Sequence, residues 1–208
     1  MPLDTLTILY TYGLRGDLQA LPTLYTFLQT LKQQHGANCL LLDLGASCDE
    51  QAWHCNVTNG RSTLIVLDGM GYHAANISDF LADGERDKLK TIISTGMVDA
   101  RHAWRYHVPP IRDEGIIIVG EPAPALTLCI VAAPAKETKL DNRTLFLKAV
   151  EVNEVGVAQI DLTGMMSLID NKVLSVPKGL KPDPTIVAAI EFVEDEARYF
   201  QQQQDKHS

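Results

Sequence analysis

Cys48, His54 and Cys55 lie within eight residues of one another. Two thiolates and an imidazole can hold a metal ion, but this spacing matches no zinc signature. A Cys48 nucleophile with His54 as its base is the other chemistry available. The sequence supplies neither a residue to orient the imidazole nor oxyanion donors. The plainer reading is a loop with a buried cysteine and an amphipathic histidine. His102 and His107 flank Trp104 and Tyr106. Residues five apart share neither a strand face nor a helix face, so joint ligation needs a bend. Packing by Trp104 and Tyr106 is the expected role. Asp68, Gly69 and Gly71 form a glycine-containing turn that is not a dinucleotide fingerprint. Asp43, Asp49, Glu50, Asp68 and Asp79 are carboxylates that could meet at one sheet edge and bind a hard cation weakly. Solvated loop residues are the simpler account of most of them. Glu191, Glu194, Asp195 and Glu196 read as the wet face of a helix.

The chain has 208 residues, of which 46% are hydrophobic, and a net charge of −8. That length can bury a core without staples and fits a single domain over 1–208. The acidic balance argues against nucleic acid, which needs excess Lys and Arg. No run approaches the ~20 apolar residues of a membrane span. The first residues, MPLDTLTILYTYG, carry no basic region followed by a cleavage site. With no CxxC pair among Cys39, Cys48, Cys55 and Cys129, reduced thiols in a cytoplasmic protein are expected.

The elements that would position these residues begin with an apolar, β-branched strand at Thr5–Thr11. Leu21, Leu24, Leu28 and Leu31 then mark a helix from about Asp17 to Gln34, capped by Asp17 and ended by Gly36. Residues 38–44 read as a second buried strand. Strand, helix and strand together predict a βαβ unit with parallel strands. Residues 45–62 read as loop, 63–67 as a short strand, 68–71 as a turn and 72–81 as a short helix. Residues 83–87 read as polar and exposed. Further strand-like runs fall at 115–119, 125–132, 145–152 and 155–162. The break at Asn153–Glu154 predicts a hairpin, and these runs together a largely antiparallel second sheet. Asp183 and Pro184 open a final helix over about 184–203, with Ile186, Ile190, Val193, Ala197 and Phe200 on its apolar face. Its glutamine-rich end is expected to fray.

The layout of the first seventy-odd residues resembles the calcineurin-like metallophosphoesterases, in their 5′-nucleotidase branch. Gly16, Leu18, Leu21, Pro22 and Leu24 match a G-x-L-x-x-L-P-x-L element after the first strand. Asp43 and Gly45 match D-x-G after the second. Gly71, Tyr72 and Ala74 match a G-Y-x-A element, and GLKPDPTIVAAIEFVEDEA is similar to that branch's closing helix. The resemblance implies an α/β fold, a shortened, layered α-β-β-α sandwich with helices outside two sheets.

The same comparison shows a degenerate cleft. Positions that carry Asp and His in the family's first motif are Gly13 and Arg15 here. The bridging Asp is Ala46. The G-N-H-E ligands have only Asn76 and Asp79 nearby, and no histidine occurs between His107 and His207. Two cations ~4 Å apart need a bridging anion and a shell of ligands. Ala46 offers none, and a guanidinium repels a cation. The resemblance therefore implies a protein without phosphoesterase activity or resident cofactor, in a structural, regulatory or anion- or partner-binding role. Arg15 is the anion-binding candidate, and pairing of Arg15 with Asp43 is expected if the first two strands are adjacent. The alternative is a phosphoesterase with a rearranged or single-metal site on Asp43, Asp79, Asn76 and His73, holding manganese, zinc or magnesium. A homo-oligomer or a protein partner is compatible with either.

Overall fold

In β1 (Thr5–Thr11) and β2 (Cys39–Asp43), nearly every side chain is buried, because a parallel strand is covered on both faces. Between them α1 (Leu21–His35) follows a single 3-10 turn at Leu18–Ala20. Asp17 accepts a hydrogen bond from Ala20 N–H at 3.3 Å, and Gly36 ends α1 with φ +81°. β1 and β2 pair in parallel, as the βαβ reading requires. The computed structural model describes residues 5–36, 38–82, 84–107, 116–120, 128–163 and 165–207.

The chain continues through α2 (Trp53–Val57), α3 (Arg61–Gly69), β3 (Ala74–Asn76), α4 (Glu85–Leu89), β4 (Gly96–Val98), β5 (Trp104–His107) and β6 (Ile116–Gly120). Then follow β7 (Cys129–Ala135), β8 (Lys139–Asp141), β9 (Thr144–Lys148), β10 (Glu154–Asp161), β11 (Ser167–Ser175) and α5 (Pro184–His207). The first sheet has the order β11-β10-β1-β2-β3-β4, and the second β5-β6-β7-β9-β8. Alternation along the strands divides the core. Leu6, Ile8, Tyr10, Leu40 and Leu42 face Ile117, Val119, Ile130, Leu145 and Leu147 of the second sheet. Leu9, Leu41, Val155 and Val157 face the other way, onto Leu24 and Leu28 of α1, Val66 of α3 and Ile190 and Val193 of α5. The result is an α/β sandwich of two sheets with helices packed on the first.

Asp183 caps α5 by accepting from the N–H groups of Thr185 and Ile186 at 2.9 and 3.2 Å. Ile186, Ile190, Val193 and Ala197 are buried as their spacing demands, and the helix runs on through the glutamines to His207. Arg61 clamps it in place. Its guanidinium bonds Glu196 of α5 at 3.1 Å and Glu85 of α4 at 3.3 Å, and lies over the Phe200 ring.

Several expectations are corrected. Residues 63–67 belong to helix α3, and residues 74–76 are strand β3 between β2 and β4. Glu85 is buried, held by Arg61 and Lys88, rather than exposed. Asn153–Glu154 is no hairpin: β9 and β10 lie in different sheets, so the chain crosses between layers there. The second sheet is mixed, with β6, β7 and β9 parallel and the flanking pairs antiparallel. Residues 125–127 and Gly115 of the predicted strand runs lie outside the described residues.

Candidate functional site

β1, β2 and β3 are parallel neighbours, so their carboxyl ends deliver the loops that follow to one edge of the first sheet. There the ladder continues past the strands. Leu44 N–H donates to Thr11 C=O, Gly13 N–H to Gly45 C=O, Arg15 N–H to Ala46 C=O and Gly16 N–H to Ser47 C=O, each at 2.9 Å. The two loops run side by side with inverted backbones: φ is +71° at Gly13, +51° at Arg15, +112° at Gly45 and +52° at Ala46. For Arg15 and Ala46 that conformation is strained, because a Cβ crowds the carbonyl in the left-handed region. Aspartate and asparagine tolerate it better than alanine does.

Asp43 sits beneath these loops and is 1% exposed. Thr11 Oγ1 donates to its Oδ1 at 3.2 Å, and Gly45 N–H to its Oδ2 at 3.1 Å. Tyr72 completes the network, its hydroxyl 3.0 Å from Thr11 Oγ1. Since Thr11 gives its proton to Asp43, the Tyr72 hydroxyl donates to Thr11 when Asp43 is ionised. Burial pushes the Asp43 carboxyl up to about 7 despite these donors. The Ser47 hydroxyl favours the ionised form but makes no hydrogen bond of full geometry. Burial likewise pushes the Tyr72 hydroxyl far up, so it stays protonated. Among these groups only Asp43 changes charge near neutral pH.

The other residues singled out by sequence do not join it. Arg15 is exposed and forms no ion pair with Asp43, which corrects the expected pairing. The reason is burial: the carboxyl is sealed at 1% exposure while Arg15 stands out in solvent. Asn76 is a clip between layers. Its Nδ2 donates to Leu44 C=O at 3.4 Å and to Ala132 C=O of β7 at 3.0 Å, and its Oδ1 accepts from Ser78. His73 lies at the amino end of β3, where its Nδ1 accepts from Leu41 N–H at 3.0 Å. It packs against Trp104 and Tyr106, away from the loops. Asp79 is exposed and lines a cleft of about 770 Å³ between the loops after β2 and β3. Asp49, Glu50, Asn56, Asn59 and Ser78 line it too, and among the described residues no lysine or arginine does. Asp68 points elsewhere, accepting from Ser94 and Thr95. The five carboxylates therefore do not converge.

Cys48 and Cys55 form a disulfide at one wall of this cleft. This corrects the expectation of reduced thiols for these two. Their Cα atoms are 5.7 Å apart because α2 folds back beside the loop after β2. It also removes both thiolates from any metal or nucleophile role. His54, buried beside them, is fully engaged. Its Nε2 donates to Gly16 C=O at 2.9 Å, so its Nδ1 accepts from Ser62 at 2.7 Å. His102 bonds Asp99 in a turn, and Trp104 stacks on Tyr106. The side chain of His107 is outside the described ones. Among the described residues, no group of three His, Cys, Asp or Glu is placed to hold a metal ion.

No family model and no curated protein matches the sequence. Solved structures do match the fold. The calcineurin-like phosphoesterase YfkN of Bacillus subtilis superposes with a TM-score of 0.58 at 11% identity, covering 95% of this chain and 99% of that one. The fold is that of the calcineurin-like phosphoesterases. The 5′-nucleotidase precursor of Thermus thermophilus aligns at a TM-score of 0.55 and 12% identity over 97% of this chain. The NAD nucleotidase of Haemophilus influenzae aligns at 0.51 and 9% over 97%. The chain spans only 59% and 60% of those two nucleotidases.

Among the described residues, those at this edge do not fit a two-metal phosphoesterase centre. Where the resemblance puts a bridging aspartate stands Ala46, which has no ligating side chain and whose carbonyl accepts from Arg15 N–H. The nearest carboxylate, Asp43, is sealed and hydrogen-bonded. Asn76, Asp79 and His73 point to three different surroundings, so the single-metal set does not assemble either. Sequence reasoning missed the roles of Thr11 and Ser47. Thr11 ends β1 and Ser47 lies in the loop after β2, and only the Asp43 beside them gives a hint.

Proposed function

We propose that this chain is a phosphoesterase-fold protein that has given up two-metal ester hydrolysis and serves a structural, regulatory or partner-binding role. The observation that carries this reading is the pairing of Arg15 with Ala46 across the two loops. A permanent cation stands over the place of the first metal ligands, and a methyl group replaces the bridging carboxylate. Ala46 keeps a backbone conformation that suits aspartate, which agrees with a carboxylate lost from an otherwise preserved loop. The neighbouring cleft is lined by Asp49, Glu50 and Asp79, which repel a phosphate ester. Arg15 is the only cation in the loops after β1, β2 and β3, and is where a small anion would bind.

The compartment follows from the thiols. An oxidising one agrees with the Cys48–Cys55 bond, and a cytoplasmic one requires that bond to open or to be transient. No helix among the described residues is long and apolar enough to cross a membrane. The net charge of −8 disfavours nucleic acid.

Elemental analysis of protein purified without chelator tests the reading, together with hydrolysis of an aryl phosphate in added manganese. The expected result is metal far below one ion per chain and turnover at the buffer rate. Two tightly held ions per chain, or turnover that disappears in Asp43→Ala, would overturn it.

A further inference from the structure

β11 closes one end of the first sheet, and among the described residues its outer side is unpaired. It is a nine-residue edge, long for an exposed strand, and its burial is low throughout. Ile169 is 55% exposed and Val173 39%. The main-chain groups that face outward can be read from the ladder. Val176 N–H donates to Asn153 C=O at 2.8 Å, and hydrogen-bonded pairs alternate along antiparallel strands. The register from Glu154↔Ser175 to Gln159↔Asp170 is unbroken. Asp170, Lys172 and Leu174 therefore turn their main-chain groups to β10, while Asn171, Val173 and Ser175 turn theirs outward.

The order of side chains on this edge is symmetric. About Asn171, Asp170 on one side answers Lys172 on the other, with Ile169 and Val173 flanking them. A two-fold axis through Asn171 would set a second copy antiparallel to the first. Asn171 then faces the partner's Asn171, and Lys172 faces the partner's Asp170. Each opposite-charge pair is directly cross-strand, where such pairs attract. Within one chain, Lys172 and Asp170 are only loosely joined, at 3.6 Å with both side chains nearly half exposed. Charges on an edge ordinarily discourage pairing. Here their order makes parallel or slipped pairing unfavourable and the two-fold antiparallel one attractive.

We propose that β11 is a self-association edge: two copies pair antiparallel about Asn171 and join their six-stranded sheets. The bulge opposite Gln159 and Ile160 falls at Ile169 on β11, so the straight stretch is 170–175 and the regular part of the seam is Asp170, Asn171 and Lys172. The interface is isologous, since each copy offers the same residues. Main-chain hydrogen bonds from Asn171 supply affinity, and the two Asp170–Lys172 pairs supply the register.

Sedimentation or light scattering of the full chain tests this. The wild type is expected at twice the 22.9 kDa of one chain. Lys172→Asp sets aspartates against each other and is expected to give 22.9 kDa. The double variant Asp170→Lys, Lys172→Asp restores complementarity across the same axis and is expected to return to the dimer mass. Both side chains are exposed, so neither substitution threatens folding, and far-ultraviolet circular dichroism verifies it. A wild-type monomer, a dimer indifferent to Lys172→Asp, or a double variant that stays monomeric would each overturn the proposal. A wild type that stays monomeric but captures an extended peptide along β11 would assign the edge to a different partner.

Discussion

Raising the pH from about 5 to about 8 is expected to weaken this fold, and Asp43→Asn is expected to remove most of the loss. The ordinary carboxyl value of 3.8 applies to the unfolded chain, while burial holds the folded group at about 7. Between these values the native protein keeps a proton that the unfolded chain has released. Stability from this group is therefore full below about pH 4 and declines as pH rises to about 7. At ~1.4 kcal/mol for each tenfold difference in proton affinity between the folded and unfolded carboxyl, the whole loss is about 4 kcal/mol, of which about 3 kcal/mol falls between about pH 5 and about pH 8. Asparagine has the same shape. Its oxygen can accept from Gly45 N–H, and its amide can donate to Thr11, which then donates to Tyr72. Denaturant midpoints at the two pH values check this: the wild type should fall and the variant stay level. Equal falls would place the titrating group elsewhere.

Gly156→Ala is expected to cost about 3 kcal/mol, at the upper end for an overpacked core. Gly156 stands opposite Tyr10 in the β1–β10 ladder. A Cβ there would lie 2.0 Å from the ring carbon Cζ. The ring cannot step aside, because Tyr10 is 1% exposed and wedged between the two sheets. Urea unfolding of Gly156→Ala, alone and in a Tyr10→Leu background, separates the clash from the general cost of a methyl group. The shorter side chain should relieve most of the penalty, and purely additive costs would show that the ring is not its source.

The βαβ unit and the last helix are legible in the sequence because each has one wet face and one dry one. α3 reads as a strand for the opposite reason. Leu64 packs toward α4 while Val66 and Leu67 pack toward α1 and α5, so burial on several sides erases the helical period. β3 has only Ala74, Ala75 and Asn76, and it is a strand because β2 and β4 flank it. β11 leaves no pattern to read, because a bulged edge wet on both faces does not alternate. Sheet membership across Asn153 is a long-range property that a local two-residue break cannot report.

At the site, residue types name the loops and, through the resemblance, the positions where ligands would be expected. They do not show that Arg15 and Asp43 part company, because that depends on how deeply Leu44 to Ser47 bury the carboxyl. Nor do they join Cys48 to Cys55, which needs α2 to fold back on the preceding loop.

The placement of the two tryptophans makes the layers separately visible to fluorescence. Trp53 is 41% exposed on α2, with the Arg198 guanidinium of α5 6.0 Å from its ring. Trp104 is stacked on Tyr106 at the junction of the sheets, its indole pressed against Gly96. Emission from Trp53 alone therefore follows the docking of the last helix, and emission from Trp104 alone follows the union of the sheets.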